Sequence, residues 1–128
     1  ECNLGQVAQT KYLCGDEIKI YSGEDGQVVP LMALGGMGVI SVMANIIPSD
    51  THKMANAFLD GDIELSREIQ IKAINLINAI FCEVNPIPIK AAMNEMGMKV
   101  GKCRMPLVDI SAGGLSVLKA ALSEYGLI

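Results

Sequence analysis

Two short apolar runs with a helix between them constrain the fold of this chain more than any other feature. Residues 18–21 (IKIY) and 39–42 (VISV) are typical of short strands, and residues 27–34 between them indicate a helix with Pro30 in its first turn. This order predicts an α/β fold with parallel strands joined by a crossover helix. Two parallel strands do not form a stable sheet alone, so the other strands must come from elsewhere.

After Asn45 the pattern changes to helices with no further strand. Asp62 is a candidate N-cap for one long helix over residues 62–81, which is apolar around much of its circumference and should be buried on more than one side. Ser49 and Asp50 are candidate N-caps for the helix before it. Besides the helix over residues 27–34, the predicted helices cover residues 7–13, before the first strand, and residues 49–61, 62–81, 85–97 and 111–126, after the second.

Composition argues against several classes of partner. The net charge is -4 and the Lys and Arg residues are scattered, so we predict no basic surface for nucleic acid. No apolar run reaches the ~20 residues that span a bilayer. The first residues do not resemble a secretory signal. We therefore expect a cytoplasmic protein that binds neither nucleic acid nor membrane.

The cysteines indicate reduced structural thiols. They are far apart and form no CxxC pair or Cys/His cluster, so neither a disulfide framework nor a metal site is predicted. His52, the only histidine, should be exposed, and nothing at helical spacing from it completes a metal site. The cysteines are Cys2, Cys14, Cys82 and Cys103.

Candidate ligand contacts lie at the ends of the two predicted strands. In a (β/α)8 barrel the active site forms where the strands end and their following loops begin. Gly23 follows the first strand and Ile40 lies in the second. Each could offer backbone groups to a small ligand, Gly23 because it lacks a Cβ. The alternatives are an ordinary turn glycine and a residue of the barrel core.

Other features receive structural interpretations. Residues 35–38 (GGMG) precede a strand, so we expect a tight turn with positive φ rather than a phosphate loop. Glu24 and Asp25 are expected in a solvated loop, because an acid/base pair needs environments that separate its pKa values. Lys90 lies in the strand-free helical region and is not expected to form an imine.

Four distinctive strings occur in order along the whole chain: residues 21–25 (YSGED), 34–45 (LGGMGVISVMAN), 83–90 (EVNPIPIK) and 104–107 (RMPL). Together they resemble the dihydrodipicolinate synthase family of pyruvate-dependent aldolases. The Asn-Pro-Ile-Pro and Arg-Met-Pro-Leu strings favour this family over related lyases such as N-acetylneuraminate lyase. The resemblance implies that residues 1–61 are the C-terminal part of a (β/α)8 barrel with its last two strands, and residues 62–128 a C-terminal helical domain.

The resemblance also implies a reaction and its partners. Pyruvate would form an imine with a lysine, and the derived enamine would attack aspartate semialdehyde, in diaminopimelate and lysine biosynthesis. The family's imine lysine would immediately precede Glu1, and we expect it as a covalently modified residue, so no catalytic residue is assigned within the chain. Ile40 and Gly23 would contact substrate through their backbones. The remaining partners would be the N-terminal half of the barrel and identical subunits of a homotetramer, with no cofactor.

Two other readings remain at this point. One is a different pyruvate-dependent lyase of the same superfamily with another aldehyde acceptor. The other is a non-catalytic helical interaction module formed by residues 62–128, for which a backbone shift at Ile40 would change only stability. Under the enzyme reading, we expect the 128 residues alone to be inactive and poorly folded, because an incomplete barrel has open edges.

Overall fold

The computed structural model describes residues 3–128, which are mostly helical. Two 3₁₀ turns lie at Asp25–Gln27 and Met43–Asn45. The α-helices of the described residues are α1 (Leu4–Cys14), α2 (Val28–Ala33), α3 (Pro48–Leu59), α4 (Ile63–Lys72), α5 (Ile74–Ile80), α6 (Ile87–Glu95) and α7 (Ala112–Tyr125).

Most predicted helix ends are confirmed. The Asp62 side chain accepts a hydrogen bond from the Leu65 amide at 3.1 Å, and Ser111 caps α7 by accepting one from the Gly114 amide at 3.0 Å. Five helices end at glycines with positive φ, a backbone conformation that glycine adopts without a steric penalty. These glycines are Gly15, Gly35, Gly61, Gly97 and Gly126.

Two helix predictions were wrong in detail. Neither Ser49 nor Asp50 caps α3, which begins earlier, at Pro48, because the fixed φ of proline suits the first helical position. The predicted helix over 62–81 is interrupted at Ala73 and forms α4 and α5. Ala73 is fully buried, and alanine favours helix, so local propensity does not account for this interruption.

The structure forms no strand at the predicted positions 18–21 and 39–42, and within residues 3–128 only one parallel bridge, Ser22 to Val39, joins the two segments. Three backbone hydrogen bonds of 2.7–2.8 Å accompany it; they run from the Met37, Ser22 and Ile40 amides to the Ile20, Gly38 and Ser22 carbonyls. The pairing is parallel, as predicted, but too short for a ladder, because parallel pairing is weak without further strands on either side.

The hydrophobic core contains side chains from helices before and after residue 62. Met54 of α3, Leu76 of α5 and Leu122 of α7 are almost completely buried within one cluster. By contrast, α1 contributes no buried residue. Within the part of the chain that the structure describes, no helix is both long and apolar enough to cross a membrane.

The segment of residues 83–90 contacts the start of the last helix, α7, through Glu83. Glu83 accepts hydrogen bonds from the Ser111 amide at 3.2 Å and from the Ser111 hydroxyl. Gly114 lies so close that a Cβ there would stand 2.3 Å from the Glu83 carboxylate. The segment after α5 thus determines where α7 begins.

Candidate functional site

The parallel bridge brings the two predicted contact residues to the same end of the paired segments. The Ile40 amide donates to the Ser22 carbonyl at 2.7 Å, so Ile40 lies beside the residue that precedes Gly23. The loops that follow both segments therefore leave from one edge. Gly23 is exposed, and a Cβ added to it would meet nothing within 4 Å. No contact among residues 3–128 explains why glycine stands there.

The side chain of Ile40 is 73% exposed. In the isolated chain it is not packed in a core, so any barrel-core role for it needs strands from outside these residues. Tyr21 and Met37, on the same pair of segments, are also exposed. The edge that carries the candidate contacts is an uncovered apolar surface.

The conformation around Gly23 is held by its neighbour Ser22, which is completely buried. The Ser22 hydroxyl donates to the Glu24 carbonyl at 2.8 Å and accepts from the Glu24 amide at 3.1 Å. A serine that bonds the backbone two residues on stabilises a tight turn. Gly23 is therefore fixed between two residues that are bonded to each other.

Asp25 is buried, with 1% of its surface exposed, and the prediction that it lies in a solvated loop was wrong. Its Oδ2 accepts hydrogen bonds from the Val42 amide at 3.0 Å and the Met43 amide at 2.9 Å. One carboxylate oxygen thus joins the loops after both extended segments. No local signal separates Asp25 from Glu24, because these partners lie 17 and 18 residues further along the chain.

Gln70 of α4 is a second residue that the sequence analysis missed. Its amide nitrogen donates to the Asp25 carbonyl at 2.9 Å, and its oxygen accepts from the Val29 amide at 3.2 Å. Gln70 is 8% exposed; its bond to Asp25 is buried and its bond to Val29 is partly buried. The helical region therefore holds the loop that carries Asp25 in place. A polar residue on the buried face of the predicted long helix was the available signal.

The glycine-rich turn at residues 35–38 is structural. Gly35 and Gly38 have positive φ, as predicted, and a Cβ at Gly36 would lie 2.1 Å from the Leu31 side chain. The amides of residues 35, 36 and 37 donate to the carbonyls of residues 32, 31 and 20. Those amides are already used, so the turn does not offer them to a phosphate.

The histidine, Lys90 and the cysteines were the other residues considered for chemistry. His52 is exposed and pairs with Asn56, and residues 3–128 contain no group of three His, Cys, Asp or Glu that could hold a metal. Lys90 donates to the Lys102 carbonyl at 2.6 Å. Cys14, Cys82 and Cys103 are free thiols, whereas Cys2 lies outside the described residues. The expected imine lysine would precede the sequence itself.

A sequence profile of the dihydrodipicolinate synthetase family matches residues 2–125. The chain belongs to this family. The 4-hydroxy-tetrahydrodipicolinate synthase of Acetivibrio thermocellus is 57% identical over 128 residues, which are all of this chain and 44% of that protein. The chain therefore spans less than half the length of the Acetivibrio thermocellus protein.

Solved dihydrodipicolinate synthase structures match this family member over nearly its whole length. The Acinetobacter baumannii enzyme, complexed with pyruvate, is 32% identical with a TM-score of 0.92, over 98% of this chain and 43% of that one. A monomeric dihydrodipicolinate synthase variant is 36% identical with a TM-score of 0.92 over the same shares. The arrangement of the helices and of the paired segments is thus that of the C-terminal part of these enzymes.

Proposed function

We propose that the chain is the C-terminal part of a 4-hydroxy-tetrahydrodipicolinate synthase, which condenses pyruvate with aspartate semialdehyde. The observation that carries the proposal is the parallel pairing of Ser22 with Val39, which brings Gly23 and Ile40 to one end of the paired segments. The 57% identity with the Acetivibrio thermocellus enzyme over the whole chain supports this activity over that of another pyruvate-dependent lyase.

The proposed chemistry uses a lysine immediately before Glu1. Its amine attacks the pyruvate carbonyl, water is lost, and the resulting imine acts as an electron sink for removal of a methyl proton. The enamine then attacks the aldehyde carbon of aspartate semialdehyde. Gly23 and Ile40 contact pyruvate through their backbones. Because the Ile40 amide already donates to Ser22, we assign the proposed contact to the Ile40 carbonyl oxygen.

The proposal assigns residues 1–61 to a (β/α)8 barrel, with residues 18–21 and 39–42 as its last two strands, and residues 62–128 to a helical domain. The exposed side chains of Ile18 and Ile40 support this assignment, since neighbouring strands of a barrel would cover them. The other strands come from an N-terminal half. The complete enzyme is proposed as a cytoplasmic homotetramer, and the monomeric relative makes subunit number a separate question from activity.

Borohydride trapping tests the proposal on the full-length polypeptide that contains these residues. After incubation with pyruvate and reduction, denaturing mass spectrometry should show one reduced pyruvyl adduct on the lysine before Glu1. Omission of pyruvate is the control. An unmodified protein under these conditions, or an adduct on Lys90, would contradict the proposal.

A pair of Ile40 variants tests the contact residue. Ile40→Pro removes the amide that donates to Ser22 and should abolish the adduct, whereas Ile40→Val keeps the backbone and should preserve it. Circular dichroism establishes that both variants are folded. Equal trapping by the two folded variants would instead favour a role for the chain that does not depend on Ile40.

A further inference from the structure

We propose that Asp25 is a positioning residue, which holds the backbone after Ile40 in the geometry that receives pyruvate, and that Gln70 holds Asp25. This inference rests on the proposed function, because it assigns a task to residues around the same site. Asp25 itself need not touch the substrate. It acts through the segment 40–43.

The Asp25 side chain fixes two consecutive peptide groups. Its Oδ2 accepts from the Val42 and Met43 amides within 3.0 Å, and Met43 is fully buried. Removal of this oxygen would leave two amides without their partner, the Met43 amide buried and the Val42 amide partly buried, and an unsatisfied buried amide is destabilising. The segment would shift to find other partners. The Asp25 side chain therefore determines where this backbone lies.

Ile40 lies between two anchors that come from the same short loop. On one side its own amide donates to the Ser22 carbonyl, and two residues later the Val42 amide donates to Asp25. A peptide chain held at both positions has little freedom to rotate the Ile40 carbonyl. With Asp25 removed, the carbonyl is anchored on one side only.

Gln70 extends this arrangement into the helical region. Its two bonds, to the Asp25 carbonyl and the Val29 amide, hold both ends of the turn that carries Asp25. The partners of these two bonds are 45 and 41 residues apart in sequence. The position of the turn is therefore held by α4 and not by the loop alone. The helical domain would thereby contribute to the geometry of a site in which it has no substrate contact.

The two oxygens of the Asp25 carboxylate have different surroundings, so Asp25→Asn and Asp25→Ala should have different effects. Oδ1 is buried and has no hydrogen-bond partner among the described residues. In Asp25→Asn, one oxygen can still accept from Val42 and Met43 while the new NH₂ occupies the place of Oδ1. In Asp25→Ala both acceptors are lost. If Asp25→Asn is far more active than Asp25→Ala, the hydrogen bonds to the amides of residues 42 and 43 are what catalysis requires of Asp25.

The test uses the full-length enzyme and measures kcat and KM for pyruvate, borohydride trapping and thermal midpoint. Asp25→Ala should lower kcat/KM for pyruvate on the order of 10- to 100-fold per folded molecule, the cost of a displaced contact. Asp25→Asn should recover most of that loss. Gln70→Ala should show a smaller loss of the same kind. If Asp25→Ala does not fold, Asp25→Asn and Gln70→Ala carry the test.

Ser66→Ala is the matched control. Ser66 lies one turn before Gln70 on α4, is fully buried, and donates to the Met54 carbonyl at 2.8 Å, away from the loop. This variant should lower the thermal midpoint and leave kcat/KM unchanged. Asp25 and Gln70 variants that lose only thermal stability, as Ser66→Ala does, would overturn the positioning role. A wild-type enzyme that traps no pyruvate would overturn the proposed function itself, together with this role.

Discussion

Two regions of this chain satisfy their hydrogen bonds and bury their apolar side chains to very different extents. The open edge, defined here as residues 18–22 and 37–40, has one bridge and carries Tyr21 and Ile40 at 52% and 73% exposure. In α5, by contrast, Leu76 and Ile80 are at most 1% exposed. Both regions are rich in apolar residues. Among residues 3–128, α5 has partners that bury Leu76 and Ile80, whereas nothing covers Tyr21 and Ile40.

We therefore expect the 128 residues alone to be poorly folded at the open edge and packed in the helical region. A helix satisfies its backbone hydrogen bonds internally and needs only a surface on which to pack, and α3 to α7 supply such surfaces for one another. A parallel strand depends on neighbours on both sides. The apolar residues of the open edge are therefore consistent with packing that other strands provide.

The largest expected effect is truncation of a buried helix residue. Leu118→Ala in α7 should lower the free energy of unfolding by about 2–5 kcal/mol, since Leu118 is completely buried. The adjacent Val117→Ala, at a position 54% exposed, should change it by less than about 0.5 kcal/mol. Urea unfolding measures both. Equal effects would mean that α7 is not packed as described.

The same experiment at the open edge should depend on which polypeptide is measured. In the isolated chain, Ile18→Ala should have little effect, because Ile18 is 40% exposed. In the full-length enzyme it should cost about 2 kcal/mol or more, as for a buried isoleucine. A large effect in the isolated chain would break the comparison, because it would show that the edge is already packed.

A smaller effect should distinguish the two helix caps at the ends of the chain. Ser111→Ala removes the cap of α7 and a bond to Glu83, and should destabilise the chain by about 1 kcal/mol. Asn3 caps α1 in the same way, but α1 buries no residue, so Asn3→Ala should leave the urea midpoint of the isolated chain unchanged. A fall caused by Asn3→Ala would mean that α1 is coupled to the core.

The smallest effect concerns alkaline pH. Burial raises the pKa of Tyr125, and so does the hydrogen bond of 2.6 Å that its hydroxyl donates to Asp50. Above about pH 10 the unfolded state loses the phenolic proton first, so stability should fall as pH rises. Tyr125→Phe should remove this part of the fall, whereas Tyr12→Phe, at a position 84% exposed, should retain it. Urea midpoints between about pH 8 and 11 measure the difference.

The sequence predicts those features that depend on local chemistry. The cap at Asp62 and the helix ends near residues 61, 97 and 126 were predicted because each depends on groups within about four residues along the chain. The burial of Asp25 was missed because its hydrogen-bond partners are distant in sequence, and the interruption at Ala73 was missed because alanine favours helix. The pairing partners of Gln70 lie more than 40 residues away. The contact roles of Gly23 and Ile40 remain predictions.

Hydrogen exchange tests the central claim, that the open edge is completed by the N-terminal half of a barrel. Amides of residues 18–22 and 37–40 should exchange rapidly in the isolated chain and become protected in the full-length enzyme. Those of α5 and α7 should be protected in both, since they lie in the shared core. Equal protection of the open edge with and without the N-terminal half would contradict the account.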